Sequence, residues 1–139
     1  MKKSIILFLA LVALAQPAWT AEETVLYCAD EMVTGFYKDK EDGQWEETSF
    51  HPERFSIQVK GDWESLRVHD TPLECHTFDS QPGVTVHCKA TYKWLSWGFQ
   101  IHPASGRYVF AKMSRYGLAS LPQEHHGTDS LQAGKCERF

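Results

Sequence analysis

The chain has 139 residues, 42% of them hydrophobic, and a formal net charge of −4 at pH 7. This length suits one domain with a modest core. The acidic balance and the absence of a basic run exclude a protein that binds nucleic acid mainly through phosphate contacts. We predict no cofactor.

The start of the chain has the pattern of an export signal. Two lysines precede an apolar run at 5–15, which is too short to span a bilayer core. We predict a signal peptide at 1–21, cleaved after Ala21 or within three residues before it. The remaining segment, 22–139, is predicted to form a single β-rich domain.

The predicted mature chain is typical of an exported bacterial protein. Loss of Lys2 and Lys3 with the signal changes the formal charge from −4 to −6. Cys28 follows Val25-Leu26-Tyr27 instead of the small residue that precedes a lipoprotein cysteine, so we expect no lipid anchor. No second apolar stretch is present, and we expect no stable membrane insertion of the mature chain. A short signal with a Lys-Lys start favours a Gram-negative bacterium, and hence the periplasm or secretion.

Period-two patterns predict strands in the first half of the mature chain. Short strands are expected at 25–28 and 35–37, followed by one at 45–50 beyond a polar turn. Apolar and polar residues then alternate at 55–60 and 65–69 around a Gly-Asp turn, which predicts a hairpin. Five of its residues should face the core: Phe55, Ile57, Val59, Leu66 and Val68.

The second half continues this pattern up to its last segment. A hairpin is expected around 77–87, and a further strand should place Leu95, Trp97, Phe99 and Ile101 on one face. Residues 107–113 return as an aromatic-rich strand, whereas the polar tail at 117–135 is expected to be irregular until Cys136 fixes it. Roughly eight short strands predict an all-β fold, a small antiparallel barrel or sandwich.

Four cysteines in an exported chain predict two disulfides, and three pairings are possible. Local geometry favours Cys75 with Cys88, since a four-residue loop at 80–83 would place these cysteines opposite each other. A two-residue Pro-Gly loop would instead place them diagonally, where a bridge is harder to form. Cys28 would then pair with Cys136 and tie the two ends of the domain together.

Two groups of histidines are candidates for metal binding. In the favoured hairpin register His76 and His87 are cross-strand neighbours that could share a Zn²⁺ or Cu²⁺ ion. Glu124-His125-His126 with Asp129 forms a second group. Neither has the spacing of a known metal motif, and paired surface histidines are common without function. We therefore favour a solvated face, with at most weak two-ligand binding.

No motif for nucleophilic catalysis is present. Gly-x-Ser-x-Gly is absent. The carboxylates at Glu46-Glu47 and at 39–42 lie beside turn residues, where they keep the surface soluble. Catalytic residues are therefore predicted to be none, and any active site would have to be assembled from side chains distant in sequence.

Three tryptophans are candidates for binding a partner or ligand. Trp45, Trp63 and Trp94 occupy polar or turn-adjacent positions, and exposed tryptophans are enriched in interface hot spots. The alternative is that a tryptophan caps one end of a small barrel.

Short segments resemble a recurrent pattern in small exported bacterial proteins with two disulfides, for which no activity is known. They cover the first half of the mature chain and its end: Leu26-Tyr27-Cys28, Gly35-Phe36, Trp45, Arg54-Phe55-Ser56-Ile57 and Gly134-Lys135-Cys136-Glu137-Arg138-Phe139. In size, export and disulfides the chain is also similar to periplasmic lysozyme inhibitors of the small-barrel type, although no stretch matches their inhibitory loop. This second likeness concerns architecture alone.

Two classes of function remain. The favoured one is an exported, non-catalytic binding or inhibitor-type module that grips an unknown protein or small ligand of the cell envelope through an exposed aromatic patch. The alternative is a small periplasmic enzyme, a hydrolase, with a site assembled from dispersed His, Asp and Glu.

Overall fold

The computed structural model describes residues 22–38, 44–80, 83–92, 95–114 and 128–138. The predicted signal peptide lies outside these residues. They form nine antiparallel strands, numbered in chain order: β1 Glu23–Lys38, β2 Trp45–Thr48, β3 Arg54–Lys60, β4 Ser65–Val68, β5 Thr71–Ser80, β6 Gly83–Tyr92, β7 Leu95–His102, β8 Arg107–Ser114 and β9 Thr128–Glu137.

Eight of these strands close into a barrel. Strands β3 to β9 follow one another as hydrogen-bonded neighbours, and β1 closes the ring because it pairs with both β3 and β9. The ninth strand, β2, pairs with the end of β1. The predicted all-β antiparallel fold is therefore confirmed, and of the two predicted alternatives, barrel and sandwich, it is a barrel of eight strands with one additional strand. No helix within the described ranges has the length and apolar character needed to cross a membrane.

The long strand β1 replaces the two short strands predicted at 25–28 and 35–37. Residues 23–29 pair with β3, residues 35–38 pair with β2, and β9 pairs with β1 along most of its length. The register shifts between Asp30 and Met32, which marks a β-bulge. The polar residues around this bulge interrupt the apolar alternation, so the sequence suggested a break where the strand continues.

The core fills the barrel with alternate residues from its strands. The predicted hairpin of β3 and β4 is confirmed, and its five predicted core residues are all buried. Phe99 and Phe110 are fully buried and contact each other with ring centroids 5.6 Å apart. Most of the barrel interior is therefore occupied by large apolar side chains.

Strand β9 is a correction to the predicted irregular tail. The end of that segment, from Thr128, is a strand paired with both β1 and β8. Its inward positions hold Gln132 and Gly134 instead of large apolar residues. This is why the alternation that identifies other strands is weak here.

Both predicted disulfides are present. Cys75 and Cys88 are directly opposite on β5 and β6, with Cα atoms 4.0 Å apart. The register is the predicted one, although the strands continue to the pair Ser80 and Gly83, so the connection is shorter than the predicted four residues. Cys28 pairs with Cys136 across β1 and β9, at a sequence separation of 108. The second bridge therefore fastens the strand pair that closes the barrel.

Candidate functional site: an apolar outer face

Large apolar side chains cover part of the outer wall of the barrel. Met32 and Phe36 on β1, Val109 and Met113 on β8, and Leu131 on β9 are each 40% exposed or more. We call these five residues the apolar face. Single exposed apolar side chains scattered over a protein surface are normal, whereas these five lie on three neighbouring strands.

The strand register makes the apolar face continuous. Ala133 of β9 lies between Met32 and Val109 as the direct partner of both. Two residues earlier on β9, Leu131 is the partner of Thr34 on β1 and of Ala111 on β8. Directly opposite residues share a face of the sheet, with Cβ atoms about 4.5–5.5 Å apart.

Small residues lie among the large side chains of the apolar face. Ala111 and Ala133 lie between the larger side chains, and on β7 the partner of Ala111 is Gly98. A Cβ atom added at Gly98 would meet nothing within 4 Å. Side chains of a docked partner could therefore reach the backbone of the barrel wall from the apolar face as far as β7.

The structure brings one of the three predicted tryptophans to this surface. Trp45 is 40% exposed and is the partner of Lys38, two residues from Phe36 on the same side of β1. Trp45 therefore lies diagonally across from Phe36 and extends the apolar face onto β2. Trp63 lies in the turn between β3 and β4 and is partly buried against the core. Trp94 lies outside the described residues.

Charged groups border the apolar face. Arg107 forms an ion pair with Glu31, and Lys135 donates to Glu137 at 2.7 Å. This hydrogen bond and the charge of Lys135 lower the pKa of the Glu137 carboxyl. In the row of Phe36, the direct partner on β9 is Asp129, whose carboxylate accepts a hydrogen bond from the backbone N–H of Ser114.

The predicted histidine pair is on the outer surface of β5 and β6. His76 and His87 are direct partners, and the ring of Phe78 contacts the His87 ring at 4.8 Å between centroids. The described residues contain no group of three or more His, Cys, Asp or Glu side chains placed to hold a metal ion. Of the second predicted group, 124–126 lie outside the described residues. Weak two-ligand metal binding at His76 and His87 stays a prediction.

Two arrangements bear on the alternative of catalysis. The ring Nδ1 of His102 and the hydroxyl of Ser105 are 3.0 Å apart, but the backbone N–H of Ser105 also donates to Nδ1, so this contact stabilises the turn. A cavity of about 410 Å³ is lined partly by Ser56, His69 and Asp70. Among the described residues no hydrogen bond joins Ser56 to His69 or His69 to Asp70, and His69 instead packs on the ring of Phe55.

A scan against protein-family models and searches of curated proteins and of solved structures each returned no match. Apart from Trp45, the apolar face was not predicted. Its signal was the segment from Tyr108 to Met113, in which apolar residues occupy both outward and inward positions. A strand that is apolar on both faces is typical of one covered on both faces.

Proposed function

We propose that the protein is an exported, non-catalytic binding or inhibitor-type module whose apolar face docks a protein partner of the cell envelope. The observation that carries this proposal is the continuity of five large exposed apolar residues on three adjacent strands. Contiguous exposed apolar surface bordered by polar residues is typical of an interaction site. Trp45 at its margin supplies the residue type most enriched in hot spots.

Charge favours a protein partner over a lipid surface or a second copy of this chain. The chain is acidic, and Glu46, Glu47 and Asp129 lie near the apolar face. Anionic lipid would repel these carboxylates. A second copy of this chain would bring the same excess of carboxylates, since the Arg107–Glu31 and Lys135–Glu137 pairs at the other border are neutral overall. A partner with an apolar centre and a basic border fits best.

The two disulfides are consistent with an oxidising, exported location. Together with the predicted signal peptide, they support the periplasm or secretion as the place where this docking occurs. Small domains in such compartments depend on disulfides because their cores are modest.

The proposal is tested with a matched pair of substitutions. Leu131→Asp places a charge in the middle of the apolar face, whereas Val25→Asp makes the same kind of change at an exposed apolar position paired with Gln58. The mature protein and both variants are immobilised and exposed to a periplasmic extract of the source bacterium. The captured protein is then purified, and its affinity is measured by calorimetry.

We expect Leu131→Asp to weaken binding at least about tenfold, because a buried unpaired charge is costly at an interface. Val25→Asp should leave the affinity within about twofold of wild type. Equal binding by all three proteins, or no captured protein at all, would contradict the proposal.

A small hydrolase is the second candidate function, and the cavity lined by Ser56, His69 and Asp70 favours it. It ranks second because the hydrogen bond that would activate a serine nucleophile is absent from these residues. Turnover of ester or peptide substrates that is lost in Ser56→Ala, with the fold intact by circular dichroism, would reverse this order.

A further inference from the structure

Strands β5 and β6 separate at one end because of a proline. The backbone N–H of Cys75 donates to the carbonyl of Glu64, so odd-numbered residues of β5 bond towards β4 and even-numbered ones towards β6. Pro72 therefore faces β6 but has no N–H to donate. The last pair of the β5–β6 ladder at this end is Glu74 with Lys89, so the pairing does not extend to Pro72, two residues earlier in the chain.

The two strands diverge beyond this last pair. The start of β5 continues beside β4, and the end of β6 continues beside β7. By the same alternation, the N–H and C=O of Thr91 face the gap, and within the described ranges they have no strand partner there.

The gap is a cleft of about 570 Å³ in the barrel wall. Trp97 reaches it from β7 while also packing against the core, where it contacts the ring of Phe110. This volume is within the range of small-molecule sites. The cleft is lined by Asp70, Thr71, Pro72, Glu74, Lys89, Ala90, Thr91 and Trp97.

The lining combines an apolar surface with hydrogen-bonding groups. Trp97, Pro72 and Ala90 supply the apolar part. The carboxylates of Asp70 and Glu74 accept hydrogen bonds, while the hydroxyls and the Lys89 ammonium also donate. A complementary ligand has one apolar face and several hydroxyl groups at its edge.

The charges around the cleft favour a neutral ligand. Two carboxylates, Asp70 and Glu74, would repel an anion. The Lys89 ammonium also lines the cleft, and the Lys112 ammonium lies 5.9 Å from the centre of the Trp97 ring, so the two carboxylates are balanced and no net formal charge remains to attract a charged ligand. An extended peptide fits poorly, since the pair Glu74 and Lys89 closes one end of the gap.

We propose that this cleft binds a neutral saccharide, with a sugar ring against the Trp97 indole and its hydroxyls bonded to Asp70, Glu74 and Thr91. This inference is independent of the proposed docking at the apolar face, which lies on other strands. The ligand class follows from three features of the cleft: an aromatic surface, hydrogen-bond acceptors and donors in the lining, and formal charges that balance each other.

The test is a calorimetric titration of the mature protein with the neutral disaccharides cellobiose and di-N-acetylchitobiose. Galacturonic acid, glucosamine and trialanine serve as anionic, cationic and peptide probes. We expect saturable binding of at least one neutral disaccharide, weakened at least about tenfold by Trp97→Phe and by Glu74→Gln. Tyr27→Phe and Glu23→Gln, at exposed positions of β1 on the other side of the barrel, should leave it unchanged.

Glu74 is an exposed side chain, so Glu74→Gln keeps the test informative if Trp97→Phe disturbs the core. Absence of saturable binding by both neutral disaccharides would overturn the proposal. It would also be overturned by binding that both cleft variants retain, or by preferred binding of the charged or peptide probes.

Discussion

At the scale of single residues, the hydroxyl of Tyr108 links two parts of the barrel. Tyr108 is 3% exposed and donates to the carboxylate of Asp30, beside the bulge of β1. The other oxygen of Asp30 accepts from the backbone N–H of Glu53 at 3.0 Å. One carboxylate therefore holds β8 and the segment before β3 against β1.

We expect Tyr108→Phe to lower the free energy of unfolding by about 2 kcal/mol, because the variant keeps the ring but loses a hydrogen bond to a charged acceptor. Urea unfolding at neutral pH measures this difference. As a control, Tyr27→Phe removes the hydroxyl of an exposed tyrosine on β1, where water can replace contacts that the hydroxyl loses. A loss in Tyr108→Phe no larger than in Tyr27→Phe would contradict this role.

The same pair predicts a dependence on alkaline pH. Burial, and then the hydrogen bond to Asp30, raise the pKa of the Tyr108 phenol. Below a pH of about 10 the phenol is neutral in the folded and unfolded chains, and its contribution is complete. Above that pH the unfolded chain loses the proton first, so stability falls. The difference in unfolding free energy between wild type and Tyr108→Phe should therefore narrow above pH 10. A difference that stays constant over this pH range would contradict the role of the Tyr108 phenol.

At the scale of elements, β9 shows what the sequence pattern reveals and what it hides. The alternation on β3 and β4 identified both strands and their buried residues because one face is apolar and the other polar. In β9 the inward positions include Gly134, where an added Cβ would lie 2.0 Å from the carbonyl oxygen of Ala29. The close approach of β9 to β1 requires a glycine at this position. Because glycine has no apolar side chain, it interrupts the apolar alternation that would have predicted β9 as a strand.

Gly134→Ala should destabilise the fold by about 3 kcal/mol, the upper end of the usual cost of overpacking, because backbone atoms must move apart. Gly98→Ala is the matched control, since open space surrounds its added methyl group, and it should change stability by no more than about 0.5 kcal/mol. Thermal or urea unfolding of the two variants gives the comparison. Similar stabilities for both would show that β1 and β9 are not in close contact at Gly134.

At the scale of the whole molecule, the apolar face depends on barrel closure. Met32, Met113 and Leu131 are far apart in sequence, and they become neighbours only because β9 pairs with both β1 and β8. The Cys75–Cys88 bridge followed from the local hairpin register, and Cys28–Cys136 followed because these two cysteines remained. The local patterns divided β1 into two strands and missed β9. The apolar face required knowledge of which distant strands are adjacent, which a single sequence does not contain.

The two disulfides should differ in their contribution to stability. Cys28–Cys136 spans 108 residues and Cys75–Cys88 spans 13. In the chain-entropy model the longer loop contributes about 2 kcal/mol more. We therefore expect the double variant Cys28→Ala/Cys136→Ala to be less stable in urea than Cys75→Ala/Cys88→Ala. The reverse order would show that loop length does not govern their contributions.

The most direct test of docking at the apolar face uses its two methionines. Met32 and Met113 are the only methionines besides Met1, and both are at least 50% exposed. Peroxide converts exposed methionine to the sulfoxide. Their oxidation rates are measured by mass spectrometry with and without the captured partner. Docking at the apolar face predicts that the partner slows oxidation of both methionines together, and unchanged rates in a saturated complex would contradict it.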